Sequence, residues 1–253
     1  MTADYISDLA YQALVAEVDV TPKPGLVDKN NNGAHNDMSR ELFLKSAISI
    51  KPYFASMCTE DADELKQIGI EAEREMYIAT EGVNTHKGAI YSLGLLCASV
   101  YLTQSRDIRV ICDKVSELSK HIDNDNLNTN GYKVFKEYGL KGAKGEAESG
   151  FINVREFALP VYERFVKTDG ENIAAVKTLL SLIANVDDTN VVSRGGIDVA
   201  KNVKEKSAKI LNNFSIEKVI DFDNELIDCN VSPGGCADLL AVTIFLFNLK
   251  TGD

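Results

Sequence analysis

The sequence predicts a single all-α domain over residues 1–253, a compact multi-helix fold whose polar site is built from the loops between helices. Apolar residues recur at helical spacing, as in Ile108, Ile111, Val115 and Leu118, and again in Ile173, Val176, Leu179, Leu180 and Ile183. Ala, Leu, Glu and Lys fill the segments between the loops, as helices prefer. No apolar–polar alternation bounded by a hairpin dipeptide supports a strand. No repeat or long linker marks a domain boundary.

These signals place helices at 4–19, 40–58, 61–80, 86–104, 107–121, 130–138, 153–167, 171–184, 197–212, 215–228 and 236–249. Asp37 is a capping candidate for the second, and Pro52 and Pro160 should start, bend or split the helices that contain them. Asn84 or Thr85 is a natural N-cap for the fourth. Its apolar stretch, Ala89 to Leu102, is shorter than the roughly 18–20 residues that span a bilayer and reads as a buried helix. Residues 123–130 read as a polar loop. Asp187 and Asp188 follow the apolar helix ending near 184, an electrostatically poor place for acids unless a cation binds there. Ser232 and Pro233 suit the N-cap and first position of the last helix.

A chain of 253 residues with 45% apolar and 26% charged residues can bury a full core. Its net charge of −11 argues against a general nucleic-acid binder, which needs a basic face. Anionic small ligands remain compatible where local Lys, Arg, helix termini or a divalent cation offset the acidity. The five cysteines are scattered, with no C-x-x-C pair and no zinc spacing, which fits a reducing compartment. The first residues show no basic segment leading into an apolar run, so no signal peptide is expected, and a cytoplasmic location with no membrane partner follows.

Five polar, glycine-containing loops interrupt the helices. The first runs from Thr21 to Asp28 and on through Asn30 to Asp37. Its prolines suit a rigid connector, but its polar density exceeds what a connector needs. Asp28 and Asp37 are candidate Mg²⁺ ligands, Lys23 a phosphate ligand, and His35 a phosphate donor or proton carrier. In the second, Gly82 to Gly88, His86 and Lys87 fall in the first turn of a helix. A cation is unfavourable there unless an anion sits over the helix end, so Asn84, Thr85 and Lys87 become phosphate-binding candidates. The third, Gly142 to Gly150, carries Lys144, Glu146 and Glu148. Two carboxylates at i and i+2 diverge on a helix but can converge from a loop, one as general base and the other as metal ligand. In the fourth, Asp187 and Asp188 are metal candidates, and Asn190, Arg194 and Gly195 form a candidate phosphate clamp. In the fifth, Gly234 and Gly235 expose backbone N–H groups, and Asp238 is either a dipole-matching acid or a catalytic one.

At these residues the chain resembles the triphosphoribosyl-dephospho-CoA synthase family, which makes the prosthetic-group precursor of citrate lyase. The matching stretches are Thr21–Asp28 with Asn32–Met38, Gly82–Ile90, Gly145–Phe151, Asp188–Asn190 with Ser193–Gly196, and Ser232–Ala241, in the family's order. The chain departs from the family's pattern at Glu81 and Ile152, neither a proposed functional group. The resemblance implies an all-α transferase joining ATP to 3′-dephospho-CoA. A ribose hydroxyl of dephospho-CoA attacks the anomeric carbon of ATP's ribose and releases adenine. Glu146 and Glu148 are then base candidates, and His86, His35 or a bound water supplies the adenine's proton. Mg²⁺ accompanies the triphosphate, and the product passes to modification of the citrate lyase acyl-carrier protein. Two rivals stand beside this reading: a paralogue serving malonate decarboxylase or another acceptor, and a nucleotide-binding regulator without turnover. A homo-oligomer is left open by the sequence.

Overall fold

The computed structural model describes residues 1–122 and 130–252, and among them every regular element is helical. The expected polar loop at 123–130 lies outside the described residues except at Asn130, which opens a helix. In order the helices are α1 (Ala3–Asp19), α2 (Arg40–Ser56), α3 (Ala62–Ala79), α4 (Lys87–Thr103), α5 (Ile108–Ser119), α6 (Asn130–Tyr138), α7 (Gly142–Glu148), α8 (Leu159–Asn185), α9 (Thr189–Asn212), α10 (Ile216–Asp228) and α11 (Gly234–Thr251). A π-helical turn, Val154–Ala158, leads into α8.

Short polar side chains set most of the starts. Thr2, Ser39, Asp61, Asp107, Asp188 and Ser215 accept backbone N–H bonds at the heads of α1, α2, α3, α5, α9 and α10. Ser39, rather than Asp37, therefore caps α2. Pro52 lies inside α2 without ending it, while Pro160 opens α8, as its missing N–H allows. The break expected between 167 and 171 is a kink at Gly170 with φ of 79°.

Two segments expected to be loops are helical. The third loop forms α7, and the fourth forms the first turns of α9 up to a kink at Gly196. Asp188 caps the helix that follows it, not the one before, so the expected electrostatic conflict does not arise.

The core is one cluster centred on α4 and α11, both apolar around most of their surface as core helices are. By length and composition α11 could cross a membrane, yet it is the core helix here, with Leu239 to Leu246 buried. Around this pair, α1 packs on α2, α4 and α11. On the other sides, α3 and α5 pack on α4, and α8 on α9 and α11. The first turns of α4 and α11 touch, so both helices begin at the same end of the molecule.

Candidate active site

Three helix starts meet at that end, and the five polar loops gather around them. Asp238, in the opening of α11, takes a hydrogen bond from the Ala89 N–H in the first turn of α4. The approach is so close that a Cβ at Gly88 would lie 2.0 Å from Asp238 Oδ2. Asp188 joins the third start, that of α9, to α11: Oδ1 accepts the Asn190 N–H of α9 and Oδ2 the Cys236 N–H of α11, both at 2.8 Å. Gly234 and Gly235 permit this contact, since a Cβ on either would meet Asn190 or Asp188 at 3.1 Å. The third loop joins through Gly142, whose missing Cβ leaves room for the Thr189 hydroxyl.

At this junction Glu17 and Asp188 are buried and Asp238 is half-buried. Burial, followed by the charges of Glu17 and Asp188, raises the Asp238 carboxyl well above the ordinary range. Burial likewise raises Asp188, against the backbone N–H groups that favour its charged form. Glu17, at the end of α1, is also raised by burial although the Lys23 ammonium lies 2.6 Å away. That ammonium also donates to the Glu17 carbonyl, which places a cation at the C-terminal end of α1. Lys23 is 2% exposed, so it reaches a phosphate only by leaving Glu17.

His86 stands at the N-cap position of α4, where the sequence points to Asn84 or Thr85. Asn84 still accepts the Lys87 N–H, at 3.2 Å. The His86 ring is 3% exposed, meets Phe43 edge-on, and has Nδ1 2.8 Å from the Ser46 hydroxyl, which in turn accepts from Thr85 at 2.7 Å. Its Nε2 is buried without a partner. Burial and the nearby Lys23 charge lower its pKa from 6.5 to about 3, so the imidazole is neutral in the fold. The unfolded chain binds a proton between these values and the native state does not. Stability therefore rises with pH from about 3 to 6.5 and is lost on acidification. The raised carboxylates slope the other way, so a difference isolates His86. In urea titrations across this range, wild type should gain about 1.4 kcal/mol per pH unit over His86→Gln. Parallel curves would contradict the assignment.

The two third-loop carboxylates, now on a helix, diverge. Glu148 pairs with Lys141 at 2.7 Å. Glu146 turns toward α9 and α11, where its charge acts on the Cys236 thiol. Its Oε1 accepts from the Asn153 amide, and its Oε2 is buried without a partner. Burial raises its pKa, and Asp187 adds to the effect. Lys144 lies on the same short helix, half-buried. Lys87 pairs with Glu73 of α3.

The first loop is fastened rather than open. Asp28 accepts four bonds from its own loop, from the Thr21 hydroxyl and the Lys23, Asn30 and Asn31 N–H groups. Asp223 of α10 takes the Gly25 N–H and the Asn31 amide. Arg194 donates to the Ala34 carbonyl at 2.8 Å, to Asn230 and to His35 Nδ1, while His35 Nε2 lies 2.9 Å from the Ser232 hydroxyl. Among the described residues Arg194 has no carboxylate partner, so its exposed charge is not offset. Gly195 makes room for Val199 of its own helix.

The four candidate metal aspartates are not brought together. Asp28 and Asp188 are engaged as described, Asp187 pairs with Lys204 at 2.6 Å, and Asp37 is exposed elsewhere. Among the described residues no group of three His, Cys, Asp or Glu side chains is placed to hold a metal. The donor set does not fit a resident Mg²⁺.

A family model described as ATP:dephospho-CoA triphosphoribosyl transferase matches residues 3–253. The chain belongs to this family. A 2-(5″-triphosphoribosyl)-3′-dephosphocoenzyme-A synthase of Escherichia fergusonii is 39% identical, covering all of this chain and 93% of its own length. A Salmonella typhimurium protein, named as a probable synthase of the same kind, is 41% identical with the same coverage. A solved structure from Archaeoglobus fulgidus, described as a candidate triphosphoribosyl-dephospho-CoA synthase, superposes with a TM-score of 0.55 at 17% identity. It covers 82% of this chain and 98% of that one, and it supports the fold.

In this member of the transferase family, residues outside the motif loops hold motif residues in place. Glu17, Ser46, Glu73, Asn153 and Asp223 each bond to a motif residue. Glu17, Ser46 and Asp223 are buried while Glu73 and Asn153 are half-buried, and it is their partners in the fold that single them out, which a lone sequence does not display. Two concavities bear on the site. A groove of about 350 Å³ between α1 and α2 is lined by Asp4, Asp8 and a Lys51 already paired with Asp8, a poor host for a triphosphate. The space beside Asp188 and Cys236 is about 10 Å³, room for little more than one water.

Proposed function

We propose that this transferase joins ATP to 3′-dephospho-CoA, forming 2′-(5″-triphosphoribosyl)-3′-dephospho-CoA with release of adenine. The observation that carries the reading is the presence of two carboxyls, Asp238 and Glu146, about the junction of three helix starts. Asp238 sits where burial and the charges of Glu17 and Asp188 favour its protonated form. Glu146 keeps one buried oxygen without a partner beside the same junction. Burial raises both, but like charges push Asp238 further while the Asn153 amide favours the charged form of Glu146, which suits the first to the donor and the second to the acceptor of a glycosyl transfer.

In this scheme the acceptor's 2′-hydroxyl gives its proton to Glu146 and bonds to the anomeric carbon of ATP's ribose. The bond from that carbon to adenine breaks, its electron pair goes to the base, and Asp238 supplies the proton that adenine takes away. The ribose passes through an oxocarbenium-like state that nearby carboxylates stabilise. The triphosphate stays on the product. His86, neutral above about pH 3, orients by hydrogen bonding instead of acting as the acid. The Gly234 and Gly235 N–H groups at the start of α11, with Arg194, Lys87 and Lys144, are assigned to the phosphates. Mg²⁺ is assigned to the triphosphate as its counter-ion, entering with the substrate.

The product is assigned to the citrate lyase prosthetic group and the enzyme to the cytoplasm. Purified protein given ATP, Mg²⁺ and 3′-dephospho-CoA should yield free adenine and one joined product by mass. Activity restricted to a different acceptor would refute the citrate lyase assignment.

A further inference from the structure

We infer that Asn153 is a positioning residue for Glu146, fixing the carboxylate through Oε1 so that Oε2 alone is presented to the substrate. The inference rests on the reading of Glu146 as the base, and it adds a residue outside the sequence motifs.

The geometry is built for this in several steps. After α7 the chain reverses within two residues, Gly150 at φ of 64° and Phe151 at 54°. A left-handed conformation is uncommon for a bulky residue such as phenylalanine and persists only where the surroundings hold it. They do hold it here: the Phe151 ring is fully buried, and its N–H bonds to the Glu146 carbonyl at 2.7 Å. Arg155 clamps the turn from the other side, with its guanidinium on the Gly150 carbonyl at 2.9 Å and on the Ser149 carbonyl at 3.3 Å. Asn153 then stands immediately before the π-helical turn Val154–Ala158, a rare element that is frequent at functional sites. From there its amide reaches back seven residues to Glu146 Oε1.

The result is a carboxylate with one oxygen tied and the other buried and unpaired. Buried polar atoms are nearly always partnered, so an orphan on a residue held this firmly points to a partner that arrives with the ligand. Asn153 suits the task chemically. Its amide N–H stabilises the ionised form of Glu146 without adding a charge, opposing the burial and the Asp187 charge that favour the protonated form. The other ionisable groups at this face are the Cys236 thiol, Asp188, and Asp187 with its partner Lys204. None of them changes in an Asn153 variant.

Asn153→Ala removes the bond and should raise the pKa of Glu146. The acidic limb of the kcat/KM profile should move to higher pH by about half a unit or more, and kcat at pH 7 should fall about tenfold with KM for ATP little changed. A purely structural role would lower activity at all pH values without moving the limb, and that result would overturn the inference. Asn153→Asp keeps the shape while adding a like charge, so its limb should move further in the same direction. It also serves if the alanine variant folds poorly. Direct carbon-13 NMR titration of Glu146, assigned by difference from Glu146→Gln, separates the two layers. A raised titration point with an unmoved activity profile would sink the base assignment and leave the positioning intact. An unmoved titration point would sink the positioning itself.

Discussion

Glu146→Gln is expected to lower turnover by about 10²- to 10⁴-fold, the usual contribution of a positioned general base, while ATP affinity changes less than about threefold. The substitution is nearly isosteric, and the amide oxygen can still accept from Asn153, so the turn after α7 is kept. Burial already disfavours the Glu146 charge, and removing it should leave the unfolding midpoint unchanged or slightly higher. Lost turnover with retained stability and binding is the signature of a group that acts in the transition state. Glu148→Gln supplies the contrast, because Glu148 is already tied to Lys141. If the two variants lose activity equally, or if Glu146→Gln loses ATP binding in step with turnover, the separation of roles drawn from their opposite faces on α7 is wrong.

Asp188→Ala should produce the largest loss of stability among the motif residues. One buried carboxylate holds the starts of α9 and α11, accepting the Asn190 and Cys236 N–H groups. Loss of an N-cap costs about 0.5–2 kcal/mol, and a buried donor left without a partner costs about 1–3 kcal/mol more. Relief from burying a charge offsets part of this, so a net loss of about 2–4 kcal/mol is expected. Urea unfolding should show it as a lower midpoint at constant slope. A loss below about 1 kcal/mol would mean that the two helix starts are held by other contacts, and Asp188 would be free for another role.

The fold was legible because core helices carry their burial pattern in the sequence. Ile108, Ile111, Val115 and Leu118 lie in α5, where Ile111, Val115 and Leu118 are buried. What escaped was helix stabilised by contact rather than by propensity. Gly142 and Gly145 make α7 a poor isolated helix. It forms because Ala147 is buried, the Ser116 hydroxyl bonds the Glu148 carbonyl at 2.6 Å, and Gly142 fits against Thr189. The first turns of α9 read as loop for a similar reason, since Asp188-Thr-Asn and the paired glycines resemble turn chemistry.

Of the site, the meeting of the five loops was legible and the partner of each residue was not. Lys23, Lys87 and Arg194 all read as phosphate ligands, yet the structure gives the first two carboxylate partners from α1 and α3 and leaves only the third without one. An aspartate that organises a turn and one that binds a metal look alike in sequence. Asp28 organises its own turn, accepting the Asn30 and Asn31 N–H groups. The Glu146 and Asp238 surroundings are a property of packing, assembled from α1, α4, α9 and α11, and no local pattern encodes them.

The central claim is that the helix starts hold a triphosphate while its base is exchanged for the hydroxyl of a second nucleotide. Its most direct measurement is a mass balance of one reaction with ATP labelled in adenine and in the γ-phosphate. Adenine should be released in equal amount to a joined product that retains the γ-phosphate, with both lost together in Glu146→Gln. Labelled phosphate appearing as inorganic phosphate or pyrophosphate, with adenine retained as ADP or AMP, would contradict it.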